Sequence, residues 1–94
     1  MKKLQANNLA GKFEHLIEED KIILTHLQIK KGEEIQSHKV DRDVLVIIYK
    51  GKVDFTTDKA SEIIEPGDII RLDKNEGHAL KALEDADLFV VKVK

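Results

Sequence analysis

The sequence predicts a small all-β domain that closes into a barrel or sandwich, on three observations. Its apolar residues fall in short runs rich in Ile, Val and Leu; Gly, Asp, Asn or Lys clusters bound those runs; and helical periodicity is weak throughout. The first run, Lys12 to Ile17, competes with a helix over Leu9 to Glu19, in which Phe13, Leu16 and Ile17 share a face. Gly11 weakens that helix, so a strand with an irregular lead-in is preferred. Ile22 to Ile29 and Glu34 to Lys39 follow as strands. Val44 to Tyr49 is apolar at every position, which predicts a central strand buried on both faces, under a second sheet or a partner. Lys50-Gly51 separates it from Val53 to Thr57, and the glycine can take the positive φ of a tight hairpin. After Glu62 to Ile64, Pro66-Gly67-Asp68 has the Pro-Gly order of a type II turn. Ile69 to Leu72, His78 to Leu83 and Leu88 to Val93 complete the series.

The 94 residues suit one hydrophobic core and not two, so a single domain over residues 1–94 is expected. Apolar residues at 41% and charged residues at 36% fit a globular chain, with Lys and Glu interspersed over a solvated surface. No basic stripe exists to displace counterions from a phosphate backbone. Three Phe and one Tyr give no stacking platform for bases, so no nucleic-acid partner is expected. The longest apolar run is far shorter than the ~18 residues of a membrane-spanning helix, and no apolar stretch follows the basic start, so no membrane association is expected. The chain has no cysteine, which removes disulfides, thiolate nucleophiles and thiolate metal sites and favours a cytoplasmic location. Histidines and carboxylates are left as the strong ligands. No Ser-His-Asp set, carboxylate pair or glycine-rich phosphate cradle is present.

Over Gly32 to about Ala82 the sequence resembles the cupin family of jelly-roll barrels. That family carries the motifs G-x5-H-x-H-x(3,4)-E-x6-G and G-x5-P-x-G-x2-H-x3-N. Here Gly32 is followed after five residues by His38, and Gly51 closes the first motif at the right distance. Val40 stands at the second histidine position and Val44 at the glutamate position, or Leu45 at the longer spacing. In the second motif Pro66-Gly67-Asp68 and His78 match, while Asp73, Asn75 and Ala82 replace the proline, the second glycine and the asparagine. Asn tolerates the left-handed backbone, so the turn at Asn75 is expected to survive.

The resemblance implies a cupin-type jelly-roll barrel whose metal set is halved, with His38 and His78 as the remaining positions of three histidines and a glutamate. Strand alternation puts residues 38 and 40 on one face, so Val40 and Val44 are expected to line the cavity. No cofactor is expected: the favoured reading of His38 and His78 is a hydrogen-bonded pair in a barrel that no longer uses metal, and the alternative is a weakly bound divalent metal such as Zn, Ni, Mn or Fe, completed by His26, Asp41, Asp43 or water. Residue parity leaves open whether His26 faces the cavity or the outside. His15 is expected at the surface and Arg71 in a surface ion pair. Two functions follow: a module binding a small molecule or a partner without a complete metal site, or a metal-dependent enzyme of the dioxygenase, isomerase or lyase kind using His38, His78 and a third ligand. A homodimer is expected, because the doubly apolar strand and the sheet edges need cover.

Overall fold

In the computed structural model, which describes residues 1–9 and 12–94, the chain forms two facing antiparallel sheets. The strands are β1 (Phe13–Glu18), β2 (Ile22–Ile29), β3 (Glu34–His38), β4 (Asp43–Lys50), β5 (Val53–Thr57), β6 (Ser61–Ile64), β7 (Ile69–Leu72), β8 (His78–Ala82) and β9 (Ala86–Val93). The five-stranded sheet has the order β1-β2-β9-β4-β7 and the four-stranded sheet the order β3-β8-β5-β6. No helix interrupts them among the described residues. A strand therefore replaces the competing helix over Phe13 to Glu18, while Gly11 in its lead-in lies outside the described residues.

Alternation builds the core. Val44, Val46 and Ile48 of β4 point inward beside Leu88 of β9 and meet Val53 and Phe55 of the opposite sheet in one buried cluster. Each such side chain contributes roughly 1.5–3 kcal/mol by leaving water. The outward residues of β4 depart from the expected burial on both faces: Leu45 and Ile47 are half-buried and Tyr49 is exposed. Within one chain this sheet has a covered face and an open one.

Gly51 has the expected positive φ, 82°, but the hairpin expected there does not form. Residues on its two sides enter different sheets, so Lys50-Gly51 carries the chain across the sandwich. The glycine has a second reason to be there: a side-chain carbon would collide with the backbone carbonyl of Asp85. The Glu65-Pro66-Gly67-Asp68 turn closes with a 2.9 Å bond from the Asp68 amide to the Glu65 carbonyl, and Gly67 takes φ 99°. Asn75 holds the left-handed backbone at φ 64° and donates its amide to the Val40 carbonyl at 2.8 Å, joining two loops at one end of the barrel.

Candidate functional site

At that end the two sheets separate around a cavity of about 370 Å³. Its deep walls are apolar, built by Leu27, Val46, Phe55 and Leu80. Phe13, His15 and His38 stand exposed at the mouth. Val40 and Val44 also line it, Val44 from the five-stranded sheet that faces the histidines.

His38 and His78 face each other across β3 and β8 as register partners, with ring centroids 4.2 Å apart. A bulge between Ile35 and His38 turns the end of β3 so that the rings meet. His78 is buried and lies parallel to Phe55, with centroids 5.8 Å apart. Carbonyl oxygens only accept, so the bonds to them identify the tautomer: Nδ1 of His38 donates to the Gln36 carbonyl at 3.1 Å and Nδ1 of His78 to the Glu76 carbonyl at 3.2 Å. In the neutral rings, Nε2 is left with a free lone pair. Burial lowers the His78 pKa below the ordinary histidine value. The neighbouring His38 and Lys92 add to that, against the opposing bond to the Glu76 carbonyl, and together they favour the neutral form of His78.

His26 is not part of this cavity. Thr25 and Leu27 on either side of it face inward, so His26 faces out of the five-stranded sheet, where it is nonetheless fully buried. Its Nδ1 is hydrogen-bonded with Glu14 at 2.9 Å and its Nε2 with Asp87 at 2.7 Å. The backbone and side-chain amides of Asn7 also bond Glu14, and with His26 they push the Glu14 pKa down to about 2. His26 therefore ties residue 7 to β1, β2 and β9, and both of its nitrogens are occupied. Asp41 and Asp43 are exposed and, like His26, engaged elsewhere, Asp41 with Lys74 at 3.3 Å and Asp43 with Arg71 at 3.8 Å. Arg71 also pairs with Asp73, as the surface reading expects.

Among the described residues no three His, Cys, Asp or Glu side chains come close enough to share a metal ion. A catalytic metal centre ordinarily uses three protein ligands. The two imidazoles do not make up the set of three histidines and a glutamate that the family motifs carry.

Three cavity residues escape a motif-based reading. His15 is at the surface as expected, yet it also bonds Thr25 Oγ1 through Nδ1 at 2.8 Å and forms part of the mouth. Phe13 presents an exposed ring beside it, with centroids 5.3 Å apart. Lys92 lines the cavity from β9, the middle strand of its sheet, and is the register partner of Val44. The alternation Leu88, Val90, Lys92 was available as its signal, since it puts the lysine on the inward face.

The family profile described as "Cupin domain" matches residues 25–93. No curated protein is similar enough in sequence to count as a relative. Among solved structures, a cupin superfamily protein from Desulfitobacterium hafniense superimposes with a TM-score of 0.84 at 17% identity, covering 96% of this chain and 83% of its own. A conserved protein of unknown function from Streptococcus pyogenes gives a TM-score of 0.83 at 23% identity, covering 100% of this chain and 96% of its own. An RmlC-like cupin from Methanocaldococcus jannaschii also gives 0.83, at 22% identity, covering 99% of this chain and 91% of its own. At these identities the likeness establishes a shared fold.

Proposed function

The chain belongs to the cupin domain family, and on that premise we propose that it is a binding module that takes a small organic molecule into the mouth of its barrel without a complete metal site. The observation that carries this reading is the wall itself: valines stand at positions 40 and 44, and the cavity behind them is apolar and open to solvent. Pockets of roughly 300–1,000 Å³ with apolar walls and a few polar groups are the usual form of small-molecule sites, and this cavity lies at the small end of that range.

A second reading is favoured by one detail. Both Nδ1–H groups are held by backbone carbonyls, which is how metal-binding histidines are commonly oriented, with Nε2 left to the ion. In that reading His38 and His78 hold a divalent metal with water or a substrate as the remaining ligands, and the protein is an enzyme. Native mass spectrometry and melting in a Zn, Ni, Mn and Fe(II) series separate the two. The binding module is expected to melt within a few degrees of its metal-free value in every metal and to carry an organic adduct or none. A stoichiometric metal with a shift above ten degrees would favour the enzyme.

The module is proposed to act as a homodimer. Supporting this, the open face of the five-stranded sheet carries half-buried Ile47 next to exposed Tyr49 and Ile69, the last 62% exposed. Phe89 extends the patch, stacked on Tyr49 with centroids 4.9 Å apart. Sedimentation equilibrium at tens of micromolar is expected to give twice the chain mass, and Ile69→Lys to weaken the association. A monomer at that concentration would overturn this.

A further inference from the structure

Lysine is an uncommon residue on the inward face of a sheet's middle strand, because its charge must be kept hydrated or paired. Lys92 occupies such a position. It follows Leu88 and Val90 on the inward face of β9, half-buried, with β2 on one side and β4 on the other. No described carboxylate lies within 4.0 Å of its ammonium group. None of the residues lining the cavity is acidic. The other polar groups there are His15, Thr25, His38 and His78, so the cavity has a cation and no anion.

That imbalance identifies what is missing. A purely apolar ligand would leave the lysine as it is, and a cationic one would be repelled. A ligand with a negative end would replace water at the ammonium and gain a charge-assisted hydrogen bond in partly desolvated surroundings. Thr25 Oγ1, His15 and His38 are polar groups toward the mouth, while the deeper walls are hydrocarbon, the Phe55 ring and the one imidazole of buried His78. Few polar partners line the interior, so a sugar or another polyhydroxylated molecule would leave its hydroxyls unsatisfied there.

We propose that the cavity binds a small carboxylic acid with an apolar body, its carboxylate at Lys92 and its body against Leu27, Val46, Phe55 and Leu80. This rests on the reading of the cavity as a small-molecule site. The lowered proton affinity of His78 is in keeping with it, since part of the lowering comes from the unneutralised Lys92 charge. Residue 44 has a corresponding role: a carboxylate side chain there would stand opposite Lys92 and satisfy it from within, and valine leaves that charge for the ligand.

The test is calorimetric titration of the whole protein at pH 7.5 with octanoate, 1-octanol and octylammonium, which share a chain and differ in the head group. Octanoate is expected to bind at least about tenfold tighter than either of the others, the lower end of what one charge-assisted hydrogen bond contributes. Lys92→Met is expected to lower octanoate affinity by about the same factor and to leave octanol affinity unchanged. Lys92→Gln, which keeps a polar end, serves as a second variant, and thermal melting checks that both fold. Equal binding of octanoate and octanol, unmoved by either substitution, would overturn the carboxylate assignment and leave the small-molecule reading standing. Tighter binding of octylammonium would overturn it as well. Failure of all three probes to bind at about 1 mM would overturn the proposal together with the reading it rests on.

Discussion

Replacing Ile48 by Asp is expected to unfold the protein at neutral pH. Ile48 is 1% exposed, faces inward from β4 and has Leu88 as its register partner on β9, so the new carboxylate would find neither water nor a cation. An uncompensated buried charge costs several kcal/mol or takes up a proton. A domain of this size is stable by about 5–15 kcal/mol in total, so that cost is decisive. Val44→Asp is expected to be much milder although Val44 is equally buried, because Lys92 stands opposite it. Combining Val44→Asp with Lys92→Met should restore the severe effect. Urea unfolding at pH 8 of the parent, Ile48→Asp, Val44→Asp, Lys92→Met and the double variant measures these effects. An unchanged midpoint for Ile48→Asp would mean that β4 does not present this face to the core. Additivity in the Val44–Lys92 cycle would mean that the two side chains do not meet.

The second large effect is a gain. Val40→His with Val44→Glu places three histidines and a carboxylate around one cavity, since residues 38, 40, 44 and 78 all line it. Without metal the double variant is expected to melt below the parent, because polar groups replace packed valines, although Glu at 44 recovers part of the loss from Lys92. With Zn, Ni, Mn or Fe(II) the order should reverse. A metal at a thousandfold excess over Kd adds about 4 kcal/mol, or roughly 15–30 °C for a domain this size. No shift in a folded double variant would mean that these positions do not converge with His38 and His78.

The strand pattern was legible to within about a residue at most boundaries because Ile, Val and Leu runs and turn residues are local signals. The exception is β9, which starts at Ala86 and not at Leu88. Asp87 reads as a turn residue, but the structure buries it against His26, a partner from β2 that no local window contains. Lys50-Gly51 fails for a related reason: a positive-φ glycine ends a strand in the same way whether the chain returns beside it or crosses to the other sheet. At the site, motif spacing singled out His38 and His78, which the structure sets face to face, whereas Val40 lies beyond the end of β3 and reaches the cavity from the following loop and not by strand alternation. The side of His26 was not legible, because Thr25, His26, Leu27 and Gln28 alternate two polar residues with a hydroxyl and a leucine and leave the parity ambiguous. Lys92 was hidden by its type, since lysine in a Lys-rich chain reads as surface until its strand is known to be the middle one.

The position of β9 also has a consequence for the order of events during synthesis. Ile22–Ile29 and Asp43–Lys50 are separated in their sheet by Ala86–Val93, a strand translated after both. At about 5–20 residues per second, β2 waits roughly 3–13 s for the strand that pairs with it. During that time its inner edge is unpaired, and His26 has no Asp87. The β1–β2 and β4–β7 pairs need no residue of β9, but the five-stranded sheet is completed only when β9 inserts between β2 and β4, and the same event delivers Lys92 to the cavity. A nascent chain that has not yet placed β9 has neither a finished barrel nor a cation with which to hold a ligand prematurely.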